Sequence, residues 1–149
     1  MAEKYFNRDE AEGLLPFIGH CLKEACEKKK KVEVLNTELS QAATRIMVLG
    51  GSVPHFSELV KKKSERDQLA ARLAEAISKI QESGCVVKDL DQGLVDFPSL
   101  LNGEEVYLCW KLGERRIGYW HGIHECSAGR KPLDDSAPDE PPRDRRRLQ

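Results

Sequence analysis

Two imidazoles, a carboxylate and a thiol crowd into one short run, His121, His124, Glu125 and Cys126. These are the donor types that hold zinc, iron or manganese. Residues three apart on an extended strand point to opposite faces, so His121 and His124 can share an ion only if Gly122 begins a turn or helix. The order His-x-x-His-Glu also differs from the His-Glu-x-x-His of metalloproteases. A divalent metal on His121, His124 and Glu125, in a metal-binding protein or a metal-dependent enzyme, is therefore the alternative functional expectation. The competing one is that His121 closes the edge of a core.

Other reactive types have simpler tasks. Asp89, Asp91, Asp96, Glu104 and Glu105 offer paired carboxylates for acid/base work. Asp91 fits the start of a turn, however, Asp96 fits opposite Lys88 on a hairpin, and the glutamates flank a turn. The five cysteines are odd in number and scattered, with no C-x-x-C pair; this suggests reduced thiols rather than a disulfide framework or zinc ribbon. No local signature supports Cys-His catalysis from Cys109 or Cys126. Gly50-Gly51 is followed by Ser-Val-Pro-His and lacks the Lys-Ser/Thr of a phosphate-binding loop. The expectation is no catalytic residue and no organic cofactor.

The elements that position these residues fall into two halves. Asn7 with Glu10 three residues on reads as a capping box, so a helix starts near Arg8, with a kink or short break expected at Pro16. From Ile18 a seam runs through Leu22, Ala25, Val32, Leu39, Ala43 and Ile46, with Lys29 and Asn36 in the same register. Such 4-3 spacing predicts a helix that packs lengthwise on another. Gly50-Gly51 and Pro54 end it. A matching seam at Phe56, Leu59, Lys63, Arg66, Ala70, Leu73, Ile77 and Ile80 predicts a second helix up to Ser83-Gly84. The short connection makes the pair an antiparallel, coiled-coil-like hairpin over residues 8–83, roughly 40 Å long.

Past Gly84 the period becomes alternating. Cys85 to Leu90 and Leu94 to Phe97 read as strands joined by Asp91-Gln92-Gly93, with Pro98 closing the second. Pairing Leu90 with Leu94 sets Lys88 against Asp96. Val106 to Leu112 and Arg115 to His121 form a second hairpin about Gly113-Glu114. That register sets Val106 against His121 and places Cys109 on the face opposite His121. Val106, Leu108, Trp110, Leu112, Ile117 and Tyr119 then share the face laid on the helices. The fold expected is α+β: a helical hairpin followed by a small antiparallel sheet of about four strands over 85–121, in one domain spanning 1–130.

Residues 131–149, KPLDDSAPDEPPRDRRRLQ, hold four of the seven prolines and dense charge of both signs, and are expected to form a disordered tail. A net charge of −1 gives no global field toward nucleic acid or an anionic membrane. The lysine runs 28–31 and 61–63 are interleaved with glutamates at helical pairing distance, which argues for a solvated face rather than a nucleic-acid surface. No apolar segment resembles a signal peptide or a membrane span, so a cytoplasmic protein is expected.

Leu90-Asp91-x-Gly-Leu-Val-Asp-Phe-Pro98, Glu105-Val-Tyr-Leu-Cys-Trp-x-Leu-Gly-Glu114, Ile117-Gly-Tyr-Trp-His121 and Ala128-Gly-Arg130 resemble an uncharacterised bacterial family, domain of unknown function 2203. The opening Tyr5-Phe6, Glu10-Ala11 and Leu14-Leu15-Pro16 are similar to the start of the same family. The resemblance covers about the first 130 residues and implies a bacterial cytoplasmic setting, with no activity or cofactor attached.

The strongest functional expectation concerns surface. Strands of five or six residues span roughly 20 Å, about half the hairpin, so the far half has no partner within the chain. Its end is apolar, with Ile46, Met47 and Leu49 on one side of the glycine turn and Val53 and Phe56 on the other. The chain is therefore expected to be a non-enzymatic interaction or scaffold module. It would form a homodimer through its helices or receive a protein partner at the tip.

Overall fold

The computed structural model describes residues 4–50, 56–125 and 129–133. The architecture is α+β. Helices α1 (Arg8–Val48) and α2 (Phe56–Glu82) precede strands β1 (Val86–Asp89), β2 (Leu94–Leu101), β3 (Glu104–Lys111), β4 (Tyr119–Gly122) and β5 (Lys131–Pro132). The strands form one antiparallel sheet in the order β1-β2-β3-β4-β5.

The N-terminus of α1 is set by the expected capping box. Asn7 Oδ1 accepts from the Glu10 amide at 2.7 Å, and Glu10 Oε1 accepts from the Asn7 amide at 3.0 Å. The break expected at Pro16 does not occur, because α1 runs through it. Pro16 forfeits one ladder bond on an exposed face, while Ala11 and Ile18 on either side are fully buried and hold the axis. The helices pack antiparallel: Arg66 Nη1 donates to Asn36 Oδ1 at 2.7 Å, and Lys62 pairs with Glu38 at 3.6 Å. Partners two residues apart on α1 are thus four apart in the opposite direction on α2.

The turn between β1 and β2 ends at Gly93, whose φ of +69° and approach to Leu112 leave little room for a side chain. Its anchor is Asp89 rather than Asp91: Asp89 Oδ1 accepts from the amides of Asp91 and Gln92. Asp91 instead pairs with Lys29 on α1. An irregularity at Lys88 shifts the register, so Val86 lies opposite Asp96 and Val87 opposite Val95. The expected Lys88–Asp96 cross-strand pair is therefore replaced by Val86 opposite Asp96.

Pro98, expected to close β2, sits within it. The Pro98 carbonyl turns away from β3 and accepts from the Phe6 amide at 2.7 Å. The missing N–H thus falls on an edge that β1 does not reach. The N-terminal segment covers this edge, and Ser99 Oγ donates to the Phe6 carbonyl at 2.6 Å.

One sheet face carries Val95, Phe97, Leu108 and Trp110. It packs with Ile117 onto Phe6, Ile18, Leu22 and Ile80. Four of the six residues assigned to the helix-facing side, Val106, Leu108, Trp110 and Ile117, are buried, and Leu112 packs against the core. Tyr119 belongs to the other face. The sheet also reaches past the expected boundary, since Lys131 and Pro132 form β5 beside β4; residues 134–149 of the expected tail lie outside those described. No helix among the described residues is long and apolar enough to cross a membrane.

Tyr5 ties the N-terminus to β3 by donating its hydroxyl to the Glu105 carboxylate. That bond, with burial second, holds the phenol up at about 12. A folded-state value above the ordinary 10 means that the bond contributes fully below pH 10 and is lost as the pH rises to about 12. Tyr5→Phe is expected to cost about 1 kcal/mol at neutral pH and to flatten the alkaline limb of stability in that window. Urea midpoints across pH check both effects, and equal midpoints at pH 7 for the two proteins would refute the first.

Candidate functional site

The second face of the sheet, turned away from the helices, is where the chemistry gathers. The connection from β3 to β4 is longer than the tight hairpin expected at Gly113-Glu114. Pairing stops at Cys109 opposite Tyr119, and the chain between them is held by three separate bonds. Trp110 Nε1 donates to the Glu114 carbonyl at 2.9 Å, the Lys111 amide donates to Glu114 Oε1 at 2.9 Å, and the Ile117 amide donates to Glu12 Oε2 on α1 at 2.9 Å. Consequently His121 lies opposite Tyr107, not Val106. A shift of one residue turns every side chain of a strand over. His121 thereby joins the face of Cys109, contrary to the separation expected from the shorter hairpin.

Asp96 on β2 lies directly opposite Cys109 on β3, and His121 follows on β4. All three are buried, each at 0% exposure. One ligand atom from each (a carboxylate oxygen, Sγ and an imidazole nitrogen) lies within 4.8 Å of the others. His121 Nε2 is 3.1 Å from Asp96 Oδ1, and Nδ1 is 2.9 Å from the Gly122 carbonyl. A carbonyl only accepts, so Nδ1 carries a proton and Nε2 is the nitrogen that faces the carboxyl. The other carboxyl oxygen, Asp96 Oδ2, is buried with no hydrogen-bond partner among the described residues.

Burial drives the Asp96 carboxyl above the usual carboxylate range, and the neighbouring His121 and, more weakly, Lys88 oppose it. The Cys109 thiol is pushed up to about 11, first by burial and then by the Asp96 charge. A nucleophilic cysteine needs the opposite shift and an open approach. Cys-His catalysis therefore has no support at this site. The set can hold a proton between Nε2 and Oδ1, or a cation among three donors.

Further contacts join these strands to their surroundings. The Tyr107 ring lies 5.6 Å from the imidazole. Arg130 Nη2 donates to both Glu114 oxygens, at 2.9 and 3.0 Å, and to the Cys109 carbonyl at 3.4 Å. Its guanidinium stacks 4.0 Å from the Tyr119 ring. Arg130 thus ties the β3–β4 connection to the strand carrying Cys109. A surface groove of about 720 Å³ lies at the base of the helices. It reaches Tyr107 and Glu105, but Asp96, Cys109 and His121 do not line it.

Of the expected ligands, His121 alone belongs to the buried group. His124 and Glu125 are exposed, and Glu125 Oε1 accepts from the Gly122 amide at 2.6 Å and from Lys131 Nζ at 3.0 Å. Gly122 does begin a turn, but that turn makes Glu125 its cap and does not gather His124 and Glu125 with His121. Cys126 lies outside the described residues. Asp96 and Cys109 were given other roles by their expected registers. A signal for Asp96 was present in Leu94–Leu101, a nearly continuous apolar run of the sort buried on both faces, in which a carboxylate has no route to water.

At the other end of the molecule, Met47 is 82% exposed and Phe56 65%, Leu49 is exposed and Ile46 half-buried. Val53 lies outside the described residues.

No curated protein and no solved structure matches the chain. Residues 4–133 match the profile of a family described as uncharacterized conserved protein, DUF2203, a span that takes in both helices, the whole sheet and the Asp96, Cys109 and His121 cluster. The chain belongs to that family.

Proposed function

We propose that the protein is a non-enzymatic interaction module that self-associates through the far half of its two helices, with coiled-coil-like packing in a four-helix bundle. The observation that carries this is the exposure of the apolar residues there. Beyond Leu35 on α1 and before Leu69 on α2 none of the described residues is buried. Val34, Met47, Val48, Leu49, Phe56 and Val60 all stand open. At 1.5 Å per residue α1 runs about 60 Å and α2 about 40 Å, whereas the sheet packs only at their base. Two helices alone bury one stripe each, and a second copy supplies the missing faces by the same surface on both sides. The near-zero net charge sets up no repulsion between copies.

A reduced, cytoplasmic and bacterial setting goes with this reading. Free thiols at Cys21, Cys26, Cys85 and Cys109 support a reduced compartment.

Sedimentation of wild-type protein over a dilution series is expected to give a dimer, and Met47→Glu/Leu49→Glu to give a folded monomer. A wild type that sediments as a monomer at micromolar concentration sinks the proposal.

A further inference from the structure

We propose that Asp96, Cys109 and His121 form a binding site for a divalent, borderline-soft metal ion of the zinc class, one ligand from each of β2, β3 and β4. The inference stands apart from self-association, since the two surfaces share no residue.

Four observations converge. The donor set of carboxylate, thiolate and imidazole suits zinc, and the same three-ligand count leaves a fourth position that the second carboxylate oxygen or a water can fill. The histidine is already in the form a ligand needs: Nδ1 is committed to the Gly122 carbonyl at 2.9 Å, the outer bond that orients metal-bound imidazoles, and Nε2 faces Asp96 Oδ1 at 3.1 Å. Asp96 Oδ2, the other oxygen of the same carboxyl, is buried with no hydrogen-bond partner among the described residues. Such an atom is costly unless something cationic or donating meets it. Finally, the donors need little movement. Tetrahedral zinc spaces its ligand atoms by about 3.4–3.6 Å at ordinary bond lengths, against a largest separation within 4.8 Å here and 3.1 Å for the His121–Asp96 pair.

Charge balance favours the exchange. A dication with a carboxylate, a thiolate and a neutral imidazole is neutral overall, which a fully buried site requires. Binding releases the Cys109 thiol proton and any proton held between Asp96 Oδ1 and His121 Nε2 to solvent, with no change of oxidation state. Because all three residues have 0% exposure, the ion is a clasp across three strands rather than an open reaction centre. It enters as the sheet closes.

The test refolds tag-free full-length protein with Zn(II) or Co(II), removes excess ion, and measures metal content and the cobalt spectrum. One equivalent of metal and a thiolate-to-cobalt charge-transfer band are expected. Cys109→Ser is expected to abolish the band. Asp96→Asn keeps the size and packing of the side chain, and is expected to leave the circular dichroism unchanged while weakening zinc binding roughly tenfold or more. Protein that refolds with wild-type circular dichroism and holds no stoichiometric metal overturns the proposal. So does a cobalt band that survives Cys109→Ser but disappears in Cys126→Ser or Cys26→Ser.

Discussion

Phe97→Ala is expected to destabilise the fold by about 3–5 kcal/mol, the range for truncating a buried aromatic. Phe97 is fully buried at the centre of the helix-facing side of the sheet. Its ring meets that of Phe6 edge to face, with centroids 5.5 Å apart and planes at 89°. Phe6 is also the residue whose amide and carbonyl bond to Pro98 and Ser99 on the open edge of β2. The cavity left by Phe97 therefore lies beneath the strap that covers this edge, and neither wall can collapse without breaking backbone hydrogen bonds. Against a total stability of about 5–15 kcal/mol, a loss of this size leaves a marginal domain. Urea unfolding measures it; a cost under about 1 kcal/mol would mean that the core is not centred on this ring. Phe56→Ala provides the contrast, since an exposed site away from other contacts changes monomer stability by only about 0.5 kcal/mol or less.

The second large effect is expected at the buried polar group. In metal-free protein His121→Leu removes the imidazole partner of Asp96 Oδ1 and leaves a carboxyl at 0% exposure with only the weak Cys109 thiol contact beside it, a loss of about 3 kcal/mol. Asp96→Asn should cost about 1 kcal/mol or less. With Nδ1 donating to Gly122, Nε2 can accept, and an asparagine amide can donate to it much as a neutral carboxyl does. Burial raises the Asp96 carboxyl toward that neutral form. The double change Asp96→Leu/His121→Leu should recover much of the single loss, because an apolar pair leaves nothing unsatisfied. An Asp96→Asn cost equal to that of His121→Leu would instead place a full ion pair between β2 and β4.

These two residues also mark how far local sequence reaches. The alternation Val95, Phe97 and Val106, Leu108, Trp110 could be assigned to the helix-facing side because inward and outward positions follow from strand period alone. Asn7 and Glu10 fixed the start of α1 for an equally local reason. The capping box joins residues three apart, and its geometry is complete once the helix begins. Gly93 announced its turn through a conformation that few other residues adopt. Pro98 misled, since a missing N–H matters only on the side where a neighbour needs it. Which side that is depends on where β1 ends and where Phe6 lies.

By itself, then, the sequence determined the two helices, their antiparallel pairing, the placement of the helices before an antiparallel sheet and the apolar far end, since each follows from periodicity or from bonds within a few residues. The buried line on α2 runs through Leu69, Ala76 and Ile80, and of these the expected seam held Ile80 alone. The tertiary structure decided the site. Glu12 on α1 holds the Ile117 amide and Arg130 holds Glu114, and these distant contacts accompany the longer β3–β4 connection that moves His121 by one position. In a pleated strand a single-residue step is a change of face, and that step takes His121 from the expected core edge to a place beside Asp96 and Cys109.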